Sequence, residues 1–151
     1  CEKGEEKVLI REFIRGRGDK PAKIITCRPS DELMAAATLL AKHKIGALPV
    51  MDNEHNLIGM LSERDFVRVL VERGGGLSKM KVAEGMSRNL IVCAPGNTVA
   101  DAAALMRRYR VRHLPIVDED LLVGMLSVRD VLLLVEPSST DAVLFKSMMV
   151  S

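Results

Sequence analysis

The feature that most constrains this chain is that it repeats itself, and a repeat resets every later inference about fold. Residues 24–52, IITCRPSDELMAAATLLAKHKIGALPVMD, align with residues 90–118, LIVCAPGNTVADAAALMRRYRVRHLPIVD, at an offset of 66. Ile25/Ile91, Cys27/Cys93, Pro29/Pro95, Ala36/Ala102, Ala37/Ala103, Leu39/Leu105, Leu48/Leu114, Pro49/Pro115 and Asp52/Asp118 are identical pairs. The DNEHN turn of the first copy is one residue longer, so the offset then falls to 65. GMLSERD at 59–65 consequently meets GMLSVRD at 124–130. One slip, inside a turn, is what two copies of a single small fold would leave behind.

Each copy reads in the same order. A short β-rich run (24–27, 90–93) is closed by Pro. Ser30 or Asn97 then stands where it can cap a helix whose apolar residues recur three and four positions apart: Leu33, Ala36, Ala37, Leu40 and Val99, Ala102, Ala103, Met106. A strand around ALPVM or HLPIV follows, with its Pro favouring an edge or a strand start. Then come a polar turn, a second strand, and Ser62 or Ser127 at the N-cap of a closing helix. The order is β-α-β-β-α, twice. The expected division is an N-terminal segment 1–23, a first domain 24–73, a linker 74–89 with a short helix at VAEGM, a second domain 90–136, and a C-terminal tail 137–151.

The chain's 151 residues suit one ordinary domain or two very small ones. The net charge of +2, from 22 basic and 20 acidic residues, provides no field to attract nucleic acid or membrane. One Tyr, three Phe and no Trp leave few rings on which single-stranded bases could stack. Three cysteines without close spacing make neither a disulfide framework nor a zinc site, and point to a reducing, cytoplasmic setting. Cys27 and Cys93, at matching positions, read as small buried residues. Apolar runs such as VLLLV at 131–135 are too short to span a bilayer. No basic-then-apolar leader opens the chain, which starts on Cys1 and reads as trimmed.

Two β-α-β-β-α copies, each with an apolar-Pro-apolar middle strand and a terminal G-apolar-x-S-x-x-D, resemble a pair of cystathionine-β-synthase (CBS) domains, the tandem called a Bateman module. The likeness covers about residues 24–135. It implies an α/β (α+β) fold of tandem CBS domains packed with pseudo-twofold symmetry. It also implies a regulatory role: clefts between the domains bind adenosyl ligands such as AMP, ADP, ATP or S-adenosyl compounds, and occupancy is passed to a partner, such as a regulated enzyme or transporter, or to the module's own dimer. By the same resemblance Thr26 and Val92 border the adenine, and Pro49 and Pro115 with their aliphatic neighbours supply the walls. Arg112 and His113 face the cleft where phosphates lie, opposite numbers of Gly46 and Ala47 in the first copy.

The residues make a chemical case beside that likeness. One carboxylate can accept both hydroxyls of a ribose, and Asp65 and Asp130 stand at a helix start, where a negative charge is favoured. Ser62 and Ser127 offer hydroxyl and backbone donors to a phosphate at the same place. A three-residue spacing puts each Ser and Asp on one helix face. The plainer role fits equally: Ser as N-cap and Asp at the third position closing the helix start. Arg64 and Arg129 can reach phosphate or pair with surface carboxylates.

RRYRVRHLP at 107–115 puts four Arg and one His into seven residues, where the first copy has the milder KHKIGALP. Arg107, Arg108 and Arg110 fit the solvated end of a helix. Arg112 offers forked donors to phosphate, and His113 adds pH sensitivity near neutrality. Two unequal sites are therefore expected. His43 and His55 fall at a helix end and in a turn, both in solvent.

No catalytic residue, cofactor or metal ligand is expected. The repeated polar residues are Ser, Arg and Asp, with no repeated His or Lys to activate the Ser, and RGGGLSKMK lacks the phosphate-loop spacings. The leading function is an adenine-nucleotide sensor. The rivals are a structural dimerisation module with decayed sites, an S-adenosylmethionine-type binder, and nucleic-acid binding through the 107–112 arginines. A homodimer of four CBS copies in a disc is expected, because FVRVLVERG and the Ala-rich helices carry more apolar surface than so small a module hides alone.

Overall fold

The structure is a computed structural model that describes residues 7–15 and 23–134. The tail, the GRGD stretch and Cys1 lie outside the described residues. Helix α1 (Ile10–Arg15) precedes the first repeat. That repeat contains α2 (Leu33–His43), β1 (Ala47–Met51), β2 (Leu57–Ser62) and α3 (Glu63–Arg73). A 3₁₀ turn (Leu77–Lys79) and the one-turn helix α4 (Val82–Gly85) lead on. The second repeat contains α5 (Val99–Tyr109), β3 (His113–Asp118), β4 (Leu121–Ser127) and α6 (Val128–Leu134). The fold is mixed, with two two-stranded sheets, β1–β2 and β3–β4.

The opening β-run of each repeat is reduced to a single bridge, and the Pro explains why. Cys27 donates its N–H to the Pro49 carbonyl (3.0 Å), and Met51 returns one to the Cys27 carbonyl (2.9 Å), forming a parallel bridge to Val50. The next rung in a parallel ladder needs an N–H from residue 49 to the carbonyl of residue 25. Proline has none, so the ladder stops there. The second repeat does the same with Cys93, Pro115 and Val117 (3.0 and 2.8 Å). Pro49 therefore sits in mid-strand, with its edge facing the bridge and the full antiparallel ladder of β2 on its other side.

Two helix starts differ from expectation. α2 begins at Leu33 with Glu32 at the N-cap and no side-chain cap, so Ser30 does not serve. α5 is capped by Thr98, not Asn97: Thr98 N–H donates to Asp101 Oδ2 and Asp101 N–H to Thr98 Oγ1, both at 3.0 Å. Asn97 is engaged in the turn before, where its Oδ1 accepts the Ala94 N–H (2.7 Å). That turn leaves the next residue extended, which is the geometry a cap requires.

The chain divides into two units. Of the described residues, one takes 24–90 with 120–122; the other takes 7–15, 23, 91–119 and 123–134. The first has a core of Leu33, Ala36, Leu48, Val50, Leu61, Val69 and Val82. Gly59 closes β2 against the stretch after α4: a Cβ there would stand 2.8 Å from the Ser87 carbonyl oxygen, where Ser87 and Met60 exchange backbone hydrogen bonds of 2.9 and 2.8 Å. No side chain fits.

The second core contains Val99, Ala102, Ala103, Met106, Leu114, Ile116, Leu126 and Val131, and also Ile10 of α1 at 0% exposure. Leu9 bridges Thr98, and the Ile10 and Arg11 N–H groups donate to the carbonyls of Asn97 (3.0 Å) and Pro95 (2.9 Å). The described part of the polar-looking N-terminal segment is thus core material for the second repeat.

Cys27 and Cys93 are buried, and burial pushes each thiol from 9.0 up to about 12. Folding favours the neutral thiol, so this contribution is intact below pH 9 and is lost as the pH rises from about 9 towards 12. Iodoacetamide at pH 8 should leave both unmodified in native protein and label both in urea. The urea midpoint should fall above pH 9, and less so in the Cys27→Ala, Cys93→Ala double variant.

Candidate functional site

Each closing helix starts on the same construction. In the first unit, Ser62 donates its N–H (2.8 Å) and its hydroxyl (3.2 Å) to Asp65 Oδ2. In the second, Ser127 does so to Asp130 Oδ2 at 2.8 Å each, and the Asp130 N–H donates back to Ser127 Oγ at 3.2 Å. The helix-start role of these residues is therefore realised in both repeats. It also fixes each carboxylate in direction before any ligand arrives. Asp65 keeps only 13% of its side-chain surface in solvent.

Backbone bonds draw the middle strand to that helix start. Glu63 N–H donates to the Gly46 carbonyl (3.1 Å), and Val128 N–H donates to the Arg112 carbonyl (2.9 Å). In register, Ala47 lies directly across from Ser62. One corner of the first unit thus gathers Ala47, Ser62 and Asp65, and the matching corner of the second gathers Arg112, His113, Ser127 and Asp130. Arg112 and His113 are half-buried and both have partners, whereas Arg64 and Arg129 are exposed. Pro49 and Pro115 are buried, each beside the bridge made by the residue that follows Thr26 or Val92; Thr26 and Val92 themselves are exposed.

In the unit of residues 24–90 and 120–122, a cleft of about 360 Å³ is lined by Ile24, Thr26, Arg28, Met51, Asp52 and His55 among others. Thr26 is the one sequence candidate in its lining. Arg28 brings a guanidinium to this part of the first repeat, which the sequence reads as poor in cations. Arg28 Nη1 donates to Asn53 Oδ1 (2.6 Å), and His55 is exposed at a positive φ of 64°. The backbone N–H and side-chain amide of Asn56, then the Glu54 N–H and the His55 charge, hold Asp52 below the usual carboxylate range. Arg28, and Arg68 on α3, are residues the sequence reading missed. The only signal for Arg28 is its place at the end of the extended run, since its partner is 25 residues away.

Among the described residues no group of three or more His, Cys, Asp or Glu could hold a metal ion. No helix there is long and apolar enough to cross a membrane.

A duplicated small α/β unit, each copy closing on a Ser–Asp helix start behind an LP strand, defines the class of fold. The chain belongs to the CBS-domain family, whose model matches residues 20–72 and 81–136. It is 34% identical to the CBS domain-containing protein YhcV of Bacillus subtilis over 72% of this chain and 76% of that protein. It is 29% identical to CBSX3, mitochondrial, of Arabidopsis thaliana over 86% and 66%. The match to inosine-5'-monophosphate dehydrogenase of Aquifex aeolicus, at 35% identity, takes in 71% of this chain but only 21% of the enzyme. Among solved structures, a putative signal-transduction protein with CBS domains from Burkholderia ambifaria superposes with a TM-score of 0.79 at 28% identity, covering 88% of this chain and 97% of that one. The CBS domain pair of protein MJ0100, in complex with 5'-methylthioadenosine and S-adenosyl-L-methionine, gives 0.72 at 28%, covering 85% and 95%. CBSX2 in complex with AMP gives 0.69 at 26%, covering 84% and 95%.

Proposed function

We propose that this chain is a regulatory module that binds adenosyl nucleotides of the AMP, ADP and ATP class and passes occupancy to a partner or to its own dimer. The observation that carries the reading is the duplicated helix start, where Asp65 and Asp130 are each fixed by a serine and a carboxylate can accept two ribose hydroxyls. Arg112, His113 and Arg129 supply cations for phosphate in the second repeat, with Arg64 in the first. Thr26 and Val92 border the base, and Ala47, Pro49 and Pro115 form apolar walls. The ligands in the MJ0100 and CBSX2 structures support the adenosyl class. Arg112 and His113, on the strand that meets the helix start at Val128, have Gly46 and Ala47 as counterparts, so two sites of unequal phosphate affinity are expected.

Thermal denaturation with AMP, ADP, ATP or S-adenosylmethionine tests this. A ligand at a hundred times its Kd contributes about 2.7 kcal/mol, which for a chain of this size raises Tm by about 5–10 °C. No shift with any of them at millimolar concentration overturns the proposal. It would favour a second reading, a structural homodimerisation module, for which Val67, Leu70 and Val71 form an exposed apolar stripe on α3. Sedimentation velocity reads that state directly.

A further inference from the structure

The two repeats differ one turn beyond the carboxylate. Arg68 follows Asp65 on α3, and its Nη2 stands 2.8 Å from the Gly85 carbonyl oxygen and 3.5 Å from Asp65 Oδ1. Its Nη1 meets Glu72 Oε2 at 3.2 Å. At the offset of 65, the matching residue of the second repeat is Leu133, which is 85% exposed. A guanidinium therefore connects the closing helix to α4 in the first repeat, and an apolar side chain stands at that position in the second.

Gly85 is placed firmly enough to register a change. It is buried at the end of α4, and a Cβ on it would come within 3.3 Å of Leu33 Cδ1 and 3.5 Å of Val69 Cγ2. Its neighbour Met86 packs into the same core, and Ser87 is bonded to Met60 of β2. Arg68 itself is 45% exposed, so its contact with Glu72 contributes little, and the bond to the carbonyl is its shortest.

We propose that Arg68 is a positioning residue that reports ligand on Asp65 to α4. The inference rests on the nucleotide reading above. A ribose hydroxyl donating to Asp65 competes with Arg68 Nη2, whose 3.5 Å contact is the weaker of its two. The guanidinium then gives its donors to the Gly85 carbonyl and Glu72. Occupancy of the first repeat's carboxylate is thereby felt at the segment leading into the second repeat, and the position matching Arg68 in the second repeat is Leu133.

The test is an amide NMR titration with AMP. In the wild-type protein the resonances of Ser62 and Asp65 should shift together with those of Glu84, Gly85 and Met86. In Arg68→Leu, which copies the second repeat, the Ser62 and Asp65 shifts should persist while the α4 shifts are lost. Arg68→Gln keeps a donor for Gly85 without the charge and should lose them too, while melting near the wild type. Shifts at Ser62 and Asp65 without α4 in the wild type, or α4 shifts surviving in Arg68→Leu, overturn the inference alone. No shift at Ser62, Asp65, Ser127 or Asp130 overturns the nucleotide reading and this inference with it.

Discussion

Asp130→Ala should weaken AMP binding at the second repeat's site ten- to hundredfold, with the site that depends on Asp65 left in place. A hydrogen bond to a charged acceptor contributes about 1.5–3 kcal/mol, and 1.4 kcal/mol is a factor of ten in Kd. The geometry makes the effect specific. Ser127 fixes Oδ2 through two bonds of 2.8 Å, so the carboxylate meets a ribose already oriented and no rotamer freedom is lost on binding. Truncation also removes the acceptor at the helix start, which costs about 0.5–2 kcal/mol of fold stability. Calorimetry against AMP should therefore be read beside a thermal melt. An unchanged affinity with a lowered Tm would leave Asp130 as a helix-start residue only.

Ile10→Ala should destabilise the protein by about 2–5 kcal/mol, the range for deleting a fully buried aliphatic side chain. Ile10 is at 0% exposure among Val99, Met106, Leu114 and Leu126, so its loss leaves a cavity that those side chains fill only partly. Hydrogen exchange should show the loss in α5 and β3, and much less in α2 and β1, whose core lacks Ile10. A uniform loss over both repeats would mean that the two units unfold as one.

The repeat, the element order and the serine–aspartate helix starts were legible because each is written in local sequence. GMLSxRD states a strand, a cap and an N3 carboxylate within seven residues. What was hidden depends on distant pairing. Whether Asn97 or Thr98 caps α5 is decided by a turn that claims the Asn97 side chain first. The bridge in place of an opening strand follows from a proline that lacks the N–H for the next rung and lies 24 residues from the carbonyl that rung would use. Arg68 carries no signal in local sequence, since its partner Gly85 is 17 residues on and offers only a backbone oxygen. The N-terminal helix left no mark in the sequence because only Ile10, with the half-buried Phe13 and Ile14, meets the core, and a six-residue helix is too short for a stripe to stand out. The placing of Thr26, Val92, Arg112 and His113 around a ligand comes from family likeness rather than from local sequence.

The pairing of α1 with the second repeat sets an order of events during synthesis. A ribosome delivers residues 7–15 well before the side chains that cover Ile10, which come from residues 93 to 131. At about 5–20 residues per second, the isoleucine waits several seconds with its apolar surface in water. The first repeat, whose core lies between residues 27 and 86, can close in that interval. A segment made before the first repeat is then buried after it, and a chain released early would carry a folded first repeat and an exposed α1 for chaperones to recognise.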